Sequence, residues 1–229
     1  MRVLSGKLKG LKILTNDKKF KGSESFITRP TSDRVKETLF NILEYGFNID
    51  FSQISFFDCF SGSGAIGIEA ISRGSSIVTF LDKDGAACEC ITKNLAKFKL
   101  HENDHVNCLG VINHDFFDKN LSPSKKFDIV FLDPPYELIK ASKVFMRLKE
   151  LRVTKINSLI IYESNRELVK NYGLEILRSR KIGQTHLNFL KVFKTGRCCF
   201  AFIEISRTIL CILPRGSDGL HSVRFCLIC

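Results

Sequence analysis

The stretch DCFSGSGAIG, residues 58–67, lies between a short apolar strand and a predicted helix, and it decides the fold. Its glycines, Gly62, Gly64 and Gly67, satisfy the spacing G-x-G-x-x-G. Glycines in this pattern form a tight strand-to-helix turn and let the backbone approach a ligand closely. Asp82 lies 20 residues beyond Gly62, where an acidic side chain can bind ribose hydroxyls. The pattern predicts a nucleoside-binding α/β domain.

Two kinds of nucleoside cofactor fit such a loop, and Asp58 discriminates between them. Asp58 stands at the end of the strand, so its carboxylate would lie near the N-terminus of the following helix. A dinucleotide places its pyrophosphate at that helix end, where the two anions would repel each other. S-adenosylmethionine (SAM) carries a sulfonium, an ammonium group and a ribose, but no phosphate. The sequence therefore favours SAM, and a NAD-dependent oxidoreductase is the alternative.

Apolar strands and helices alternate along the chain from residue 54 onward. The predicted strands are rich in Ile, Val and Phe, and they cover residues 54–57, 77–81, 106–109, 127–132 and 159–162. Helices are predicted between the first three strands, at about residues 65–72 and 85–99. This alternation is typical of an α/β fold, with a parallel sheet covered by helices on both faces. Residues 169–177 and 186–192 are predicted to add an antiparallel pair.

The fourth predicted strand ends in FLDPPY, residues 131–136. Proline fixes φ and has no N–H, so two consecutive prolines terminate the strand. The stretch then offers hydrogen-bond acceptors beside the flat ring of Tyr136. A strand followed by a rigid turn is the simpler interpretation. Ligands of open α/β sheets bind beyond the carboxyl ends of the strands, where four acidic residues should meet in one crevice: Asp58, Asp82, Asp115 and Asp133.

These acceptors suit the methylation of an exocyclic amine on a nucleobase. The amine lone pair is delocalised into the ring, and it becomes nucleophilic if the Asp133 carboxylate and the Pro134 carbonyl accept the two N–H bonds. The same acceptors stabilise the positive charge that develops on nitrogen. Tyr136 can stack on the base, a contact worth about 1–3 kcal/mol. The target base must leave its stack or already lie in a loop.

The N-terminal part of the chain is basic. The net charge is +11, and residues 1–40 hold ten Lys/Arg against four Asp/Glu. Residues 3–14 predict a small hairpin, and Thr31 or Ser32 can cap the helix that follows. A basic arm of this kind fits a nucleic-acid partner, because neutralisation of phosphates drives much of the affinity. A solvated lysine-rich surface is the alternative.

Composition separates this chain from other classes of protein. Its 229 residues are 44% hydrophobic and 26% charged, as in globular proteins. No apolar run approaches the roughly 18–20 residues of a membrane span, and the N-terminus lacks the apolar segment of a signal peptide. We therefore expect a cytoplasmic protein without a membrane partner. The nine cysteines are expected to be reduced. The CxxC at residues 226–229 has no matching second pair, so no metal site is predicted.

The motifs together resemble a known family. DCFSGSG, FLDKD, NHDFF and FLDPPY are similar to motifs of the class I SAM-dependent amino-methyltransferases. MRVLSGKLKG, RPTSDRVKETLFNIL and KIGQTHLNFLKV narrow the resemblance to the bacterial 16S rRNA guanine-N2 methyltransferases called small-subunit methyltransferase D. It covers residues 1–192 and implies a Rossmann-like, mostly parallel seven-stranded sheet with helices on both faces. It also implies methylation of a guanine in a hairpin loop of the small subunit's head, close to the decoding site.

The resemblance implies roles for individual residues. The cofactor-binding residues would be Asp58, Phe60, Gly62, Gly64, Asp82, Asp115 and Phe116, among which Asp82 would contact the ribose and Asp115 the adenine amine. The catalytic motif is matched by Asp133, Pro134, Pro135 and Tyr136. The substrate would be positioned by Arg29, Thr31, Arg34 and Tyr136. This chain departs from the family at Ser61, where Ala is usual, and at Asp82, where Glu is usual.

Three segments are expected: a basic arm at residues 1–30, a methyltransferase domain at 31–192, and a Cys-rich tail at 193–229 that matches nothing in the family. The expected partner is 16S rRNA, within a small-subunit particle that contains ribosomal proteins, and the enzyme is expected to be a monomer. An adenine-N6 methyltransferase of DNA or RNA is an alternative, although no stretch is long enough for the target-recognition insertion of such DNA enzymes. The complete motif set argues against an RNA-binding module without activity.

Overall fold

The computed structural model of the chain contains a seven-stranded sheet. Its strands are Ser55–Cys59 (β1), Ile77–Asp82 (β2), Cys108–Asn113 (β3), Phe127–Leu132 (β4), Thr154–Ser164 (β5), Glu175–Ile182 (β6) and Thr185–Lys191 (β7). The strand order is β3-β2-β1-β4-β5-β7-β6. The first five strands along the chain are parallel, and β7 is antiparallel to both of its neighbours. The predicted α/β fold, including the final antiparallel pair, is confirmed.

The structure describes residues 1–15, 32–100, 108–135 and 138–192, and the backbone at 204–205 and 208–209. Contacts divide the chain into two units, residues 1–193 and 194–229. In the second unit, Glu204–Ile205 (β8) pairs with Thr208–Ile209 (β9) in an antiparallel arrangement. The CxxC at residues 226–229 lies outside the described residues. None of the described helices is long and apolar enough to cross a membrane.

Two strands lie at other positions than the sequence predicted. The third strand was placed at residues 106–109 but is Cys108–Asn113, because Gly110 interrupts the apolar pattern that marks a strand. In the sheet, Gly110 pairs with Thr79 of β2. The strand placed at residues 169–177 is Glu175–Ile182. It is an edge strand with mostly exposed positions, and charged side chains on such an edge remove the alternating apolar pattern.

Helices cover both faces of the sheet. They are Asp33–Asn41 (α1), Ala65–Ser72 (α2), Gly85–Lys97 (α3) and Ala141–Leu151 (α4). The first three contribute buried side chains to the core on one face, and α4 to the core on the other face. Ser32 caps α1, because its hydroxyl oxygen accepts the Val35 N–H at 3.2 Å, as predicted. A π-helical turn at Ile42–Gly46 extends α1, and a 3₁₀ turn at Phe51–Gln53 precedes β1.

The N-terminal residues form a small hairpin that packs on α2 and α3. An antiparallel bridge joins Arg2 to Lys12, and the side chains of Val3 and Ile13 are buried in the core beneath α1–α3. The Glu69 carboxylate of α2 accepts the next two backbone N–H groups after Val3, at 2.8 and 3.0 Å. The predicted hairpin is confirmed, and it belongs to the same unit as the sheet.

Candidate active site at the carboxyl edge of the sheet

The glycine loop joins β1 to α2 at the carboxyl edge of the sheet. Gly62 has a φ of +54° and Gly64, the N-cap of α2, a φ of +76°, which are backbone conformations that glycine adopts without strain. A Cβ on Gly64 would also lie 3.0 Å from Ile91 Cγ1. The Ser61 carbonyl accepts the Gly64 N–H at 2.7 Å and closes the turn. The loop is therefore compact, and its backbone can approach a ligand closely.

Asp58 lies beneath this loop and is almost fully enclosed by protein. The residue is 1% exposed, and its Oδ2 accepts the backbone N–H of Gly67 in the first turn of α2 at 2.9 Å. Burial raises the pKa of Asp58 well above its ordinary value, and the charges of Asp133 and Asp82 raise it further, while the Gly67 N–H acts in the opposite direction. A nearby cation would favour the ionised carboxylate, which matches the ammonium group of the predicted cofactor.

Asp82, the last residue of β2, accepts hydrogen bonds from the glycine loop and from the turn that follows β2. Its Oδ2 accepts the Gly62 N–H at 2.8 Å, and its Oδ1 accepts the Asp84 N–H at 2.9 Å. An ionised carboxylate has about four acceptor positions, so both oxygens keep capacity for further hydrogen bonds. The side chain that the sequence assigned to the ribose is thus fixed to the loop backbone.

Asp115 and Phe116 follow β3 and line a narrow cleft. Asp115 Oδ1 accepts the Phe117 N–H at 2.8 Å. The Phe116 ring is buried and lies 5.0 Å from the ring of Phe60, whose backbone has a φ of +63°. The cleft is completed by Leu81, Asp82, Lys83, His114, Phe117, Pro135 and Ile139. A narrow cleft with aromatic walls and carboxylates at its margin suits a planar ring with an amine, such as adenine.

Asp133 follows β4 directly and lies close to Asp58, whose pKa its charge raises. The residue is partly exposed, and the surrounding protein desolvates its carboxyl group. Burial therefore raises the pKa of Asp133 from 3.8 to about 7. The same charge contributes to the high pKa of Tyr162, about 12, which burial mainly causes. A cation or an N–H donor beside Asp133 would lower the pKa of this carboxyl group and favour its ionised form.

The two prolines after Asp133 form the turn that the sequence predicted. Pro134 is buried and Pro135 is exposed. The Pro135 carbonyl accepts the N–H groups of Leu138 and Ile139 at 3.0 and 3.1 Å, so the turn leads directly toward α4. Tyr136 lies outside the described residues, and its stacking role stays a prediction.

The structure brings the predicted strand-end carboxylates together at one edge of the sheet. The charges of Asp82 and Asp133 both act on Asp58, and Asp82 and Asp115 line the same cleft. In the described ranges, no group of three or more His, Cys, Asp or Glu side chains could hold a metal ion. An acidic crevice of this kind fits a ligand that supplies its own positive charge.

The predicted substrate residues of the N-terminal signature are only partly described. Arg29 and Thr31 lie outside the described residues. Arg34 is exposed in the first turn of α1, where its carbonyl accepts the Thr38 hydroxyl at 2.8 Å. Between the described side chains, the structure shows no ion pair of Arg34 with a strand-end carboxylate, and its substrate role stays a prediction.

Two polar residues near the glycine loop were not predicted from the sequence. Ser61 Oγ donates to the Asp58 carbonyl at 2.6 Å and accepts a backbone N–H of β2 at 2.9 Å, so it ties two strand ends together. Buried Asn94 of α3 accepts the Leu14 N–H at 2.7 Å and donates to the Ser63 carbonyl at 3.2 Å. Asn94 thereby joins the N-terminal hairpin to the glycine loop. An amide among the buried positions of an amphipathic helix was the available signal.

Gly67 is the glycine of this site whose substitution is expected to disturb packing most. A Cβ there would lie 2.3 Å from Cε1 of the fully buried Phe80 ring. We expect Gly67→Ala to lower the free energy of unfolding by about 1–3 kcal/mol, because the ring must shift. Urea denaturation measures this change. Gly85→Ala, where the nearest atom is 3.7 Å from the added Cβ, is the matched control. Equal unfolding midpoints for both variants would contradict the close packing.

Asp133 also makes the effect of SAM on stability depend on pH. Its pKa is about 7 in the folded protein against 3.8 in an unfolded chain, so its contribution to stability is full below about pH 4 and is lost as the pH rises through 7. A bound cation favours the ionised carboxylate. We therefore expect SAM to raise the melting temperature more at about pH 8 than at about pH 5. Thermal denaturation measures this, and an equal shift at both pH values would contradict it.

Comparison with known proteins places this geometry in a family. The family model described as Conserved hypothetical protein 95 matches residues 1–191. The ribosomal RNA small subunit methyltransferase D of Haemophilus influenzae is 36% identical over 160 residues, which are 68% of this chain and 78% of that protein. The protein of the same name from Buchnera aphidicola subsp. Baizongia pistaciae is 33% identical over 171 residues, 74% of this chain and 79% of that protein.

Solved structures agree with this placement. The structure of yhhF, a candidate methyltransferase from Escherichia coli, superposes with a TM-score of 0.68 at 28% identity, covering 85% of this chain and 99% of that chain. The N-methyltransferase NodS of Bradyrhizobium japonicum shares the fold alone, with a TM-score of 0.52 at 10% identity over 74% of this chain and all of NodS. The predicted class I methyltransferase fold and the SAM cofactor are confirmed. The chain belongs to the family of the ribosomal RNA small subunit methyltransferases D, which is the family that its motifs resemble.

Proposed function

We propose that this chain transfers a methyl group from SAM to the exocyclic N2 amine of a guanine in a hairpin loop of 16S rRNA. The proposed substrate is a small-subunit particle that contains ribosomal proteins, and the proposed enzyme is a cytoplasmic monomer. The observation that carries the proposal is the crevice in which Asp133 lies close to the buried Asp58, beside the glycine loop and the aromatic cleft. The names of the relatives support rRNA as the substrate.

Different residues of the crevice are proposed to bind different parts of SAM. We assign the cationic end of SAM to Asp58, its ribose hydroxyls to Asp82, and its adenine ring to Asp115 and Phe116, which line the aromatic cleft. The compact turn at Gly62 and Gly64 gives the backbone close access to the ligand.

The turn after β4 would hold the target amine. Asp133 accepts one N–H of the amine and the Pro134 carbonyl accepts the other, which directs the nitrogen lone pair away from the base ring. Both acceptors face the charge that develops on nitrogen, and such preorganised groups usually supply a large part of the rate enhancement. Bound SAM would supply an electrophilic methyl group to N2, with S-adenosylhomocysteine as the leaving group. The amine then loses one proton to water, and Tyr136 is proposed to stack on the flipped base.

Transfer of tritium from [methyl-³H]SAM tests the proposal. Small subunits, free 16S rRNA, DNA and total protein are incubated with the enzyme, and the labelled nucleotide is identified by digestion and chromatography. We expect N2-methylguanine in 16S rRNA, with more label in small subunits than in free rRNA. Label in N6-methyladenine would replace the proposed target with the adenine alternative. Label in DNA or protein without label in rRNA would refute the proposed substrate.

Two variants support that experiment. Asp133→Ala is expected to lose the label, because it removes an acceptor of the amine. Asp50→Asn changes an aspartate of the 3₁₀ turn before β1, where its side chain accepts the Ser52 N–H at 3.0 Å. Since β1 runs from this turn toward Asp58, Asp50 lies at the opposite edge of the sheet, and label incorporation is expected to stay close to that of the unchanged enzyme.

A further inference from the structure

Arg147 of α4 donates hydrogen bonds to three backbone carbonyl groups of one loop. Its Nε donates to the Phe116 carbonyl at 3.0 Å, and one terminal nitrogen donates to the carbonyls of Asp118 and Leu121. The other terminal nitrogen pairs with Glu150 at 3.1 Å. The Arg147 side chain is only 11% exposed. A guanidinium is a rigid planar fork of donors, so these contacts fix the positions of the carbonyls relative to α4.

The loop in question connects β3 to β4 and has no regular secondary structure between residues 114 and 121. At its start the His114 N–H donates to the Asp82 carbonyl of β2 at 3.0 Å, and the backbone hydrogen bonds within the loop are short-range turns. The Asp115 carbonyl accepts the Asp118 N–H at 3.0 Å, and the Asp118 carbonyl accepts the Leu121 N–H at 3.1 Å. These turns use backbone N–H groups, whereas Arg147 supplies donors to backbone carbonyls. The loop conformation therefore depends on both its turns and the side chain from α4.

Two residues of this loop are the proposed adenine-binding residues Asp115 and Phe116. Asp115 Oδ1 is held by the Phe117 N–H at 2.8 Å, inside the loop that Arg147 binds. The Phe116 carbonyl is itself a partner of Arg147. A second contact comes one helical turn earlier, where the Lys143 ammonium lies 4.7 Å from the centre of the Phe117 ring. Helix α4 thus contacts the cleft-lining loop at two successive turns.

The same helix follows the Pro-Pro turn. The Pro135 carbonyl accepts the N–H groups of Leu138 and Ile139, and α4 begins at Ala141. One rigid element therefore connects the turn that is proposed to hold the target amine with the loop that is proposed to hold adenine. We propose that Arg147 is a positioning residue, which sets Asp115 and Phe116 for recognition of the adenine amine of SAM. The inference rests on the adenine-binding role proposed above for these two residues.

The preference of the enzyme between two ligands tests this role, because a loss of stability alone would not change that preference. Isothermal titration calorimetry compares S-adenosylhomocysteine with S-inosylhomocysteine, which presents a carbonyl oxygen where adenine has its amine. The unchanged enzyme is expected to prefer the adenosyl ligand at least about tenfold, because the carboxylate of Asp115 accepts from an amine and repels a carbonyl. In Arg147→Met we expect that preference to fall to about twofold, and the KM for SAM to rise about tenfold with kcat changed less than about threefold.

Two further variants serve as controls. Lys149→Met removes one positive charge from an exposed position of the same helix and should leave the preference unchanged. Arg147→Lys retains the charge without the fork, so an intermediate preference is expected. If Arg147→Met does not fold, Arg147→Lys decides: a preference as high as that of the unchanged enzyme overturns the inference. The same result for a folded Arg147→Met also overturns it.

The Asp115→Asn variant tests the proposed adenine-binding role of Asp115 separately from the positioning role of Arg147. If Asp115→Asn loses the adenosyl preference and Arg147→Met keeps it in full, Asp115 binds adenine but Arg147 has no role in that recognition. An unchanged enzyme without any preference would remove the adenine site itself, and the inference with it. Neither result depends on rRNA, so the proposed methylation target is tested separately.

Discussion

Asp133→Ala is expected to slow methyl transfer about 10²–10³-fold at saturating SAM and rRNA, which is the usual effect of removing one preorganised group that stabilises a developing charge. The carboxyl group stands at the end of β4, close to Asp58, in a crevice where burial raises its pKa to about 7. An acceptor that protein encloses interacts more strongly with a developing cation than one in water does. Single-turnover methyl transfer with preformed enzyme–SAM complex measures the chemical step.

The same substitution is expected to stabilise the protein without ligands. The raised pKa of Asp133 means that its ionised form is unfavourable in the folded state, so its removal should raise the melting temperature at about pH 8 and have little effect below about pH 4. Asp133→Asn retains one carbonyl acceptor and should retain more activity than Asp133→Ala. A loss of activity accompanied by lower stability at pH 8 would point to misfolding and contradict the assigned role.

The carboxyl edge of the sheet was predictable because its signals are local. Asp58 and Asp82 each follow an apolar strand, and glycines at Gly62 and Gly64 mark the turn between strand and helix. The structure gives these glycines positive φ values and brings both carboxylates to the loop backbone. Ligand binding beyond parallel strand ends is a property of the fold, so identifying the strands was enough to expect the crevice.

Other features depend on partners far apart in the sequence, and they were not predictable. Arg147 binds a loop about thirty residues earlier, and Asn94 binds Leu14 eighty residues earlier. The local pattern of an amphipathic helix can mark a polar residue such as Asn94 as buried, but it does not identify the distant segment that this residue contacts. The edge strand β6 was misplaced for a related reason: it has one neighbouring strand, and its exposed charged side chains hide the alternation that marks a buried strand.

Glu69 of α2 gives the largest expected effect on stability. It is fully buried, and its carboxylate lies 3.4 Å from the ammonium of Lys36, which is also fully buried, and 3.1 Å from a terminal nitrogen of Arg73. It also accepts the N–H groups of Leu4 and Ser5. Glu69→Ala leaves a buried lysine without its acidic partner, and we expect the free energy of unfolding to fall by about 3–5 kcal/mol. Urea denaturation at neutral pH measures this.

The pH dependence of that variant identifies the cause. Burial lowers the pKa of Lys36, and the charge of Glu69 opposes the shift, so the pKa should fall further in Glu69→Ala. A lysine with a lowered folded-state pKa destabilises the protein while it must be protonated, and this effect weakens as the pH rises toward the ordinary value of 10.5. The stability of Glu69→Ala should therefore recover partly between about pH 7 and pH 10, relative to the unchanged protein.

A matched control comes from α3, where Glu89 pairs with Lys93 at 2.6 Å in an exposed position. Glu89→Ala removes the same charge and should lower the free energy of unfolding far less than Glu69→Ala does, because exposed ion pairs contribute little.

Since Glu69 holds the hairpin through Leu4 and Ser5, trypsin should cleave the first 15 residues faster in Glu69→Ala than in Glu89→Ala. Equal destabilisation by the two substitutions would show that the buried cluster does not anchor the hairpin. A specific effect of Glu69 on rRNA methylation, with SAM binding retained, would connect the anchored hairpin to recognition of the RNA.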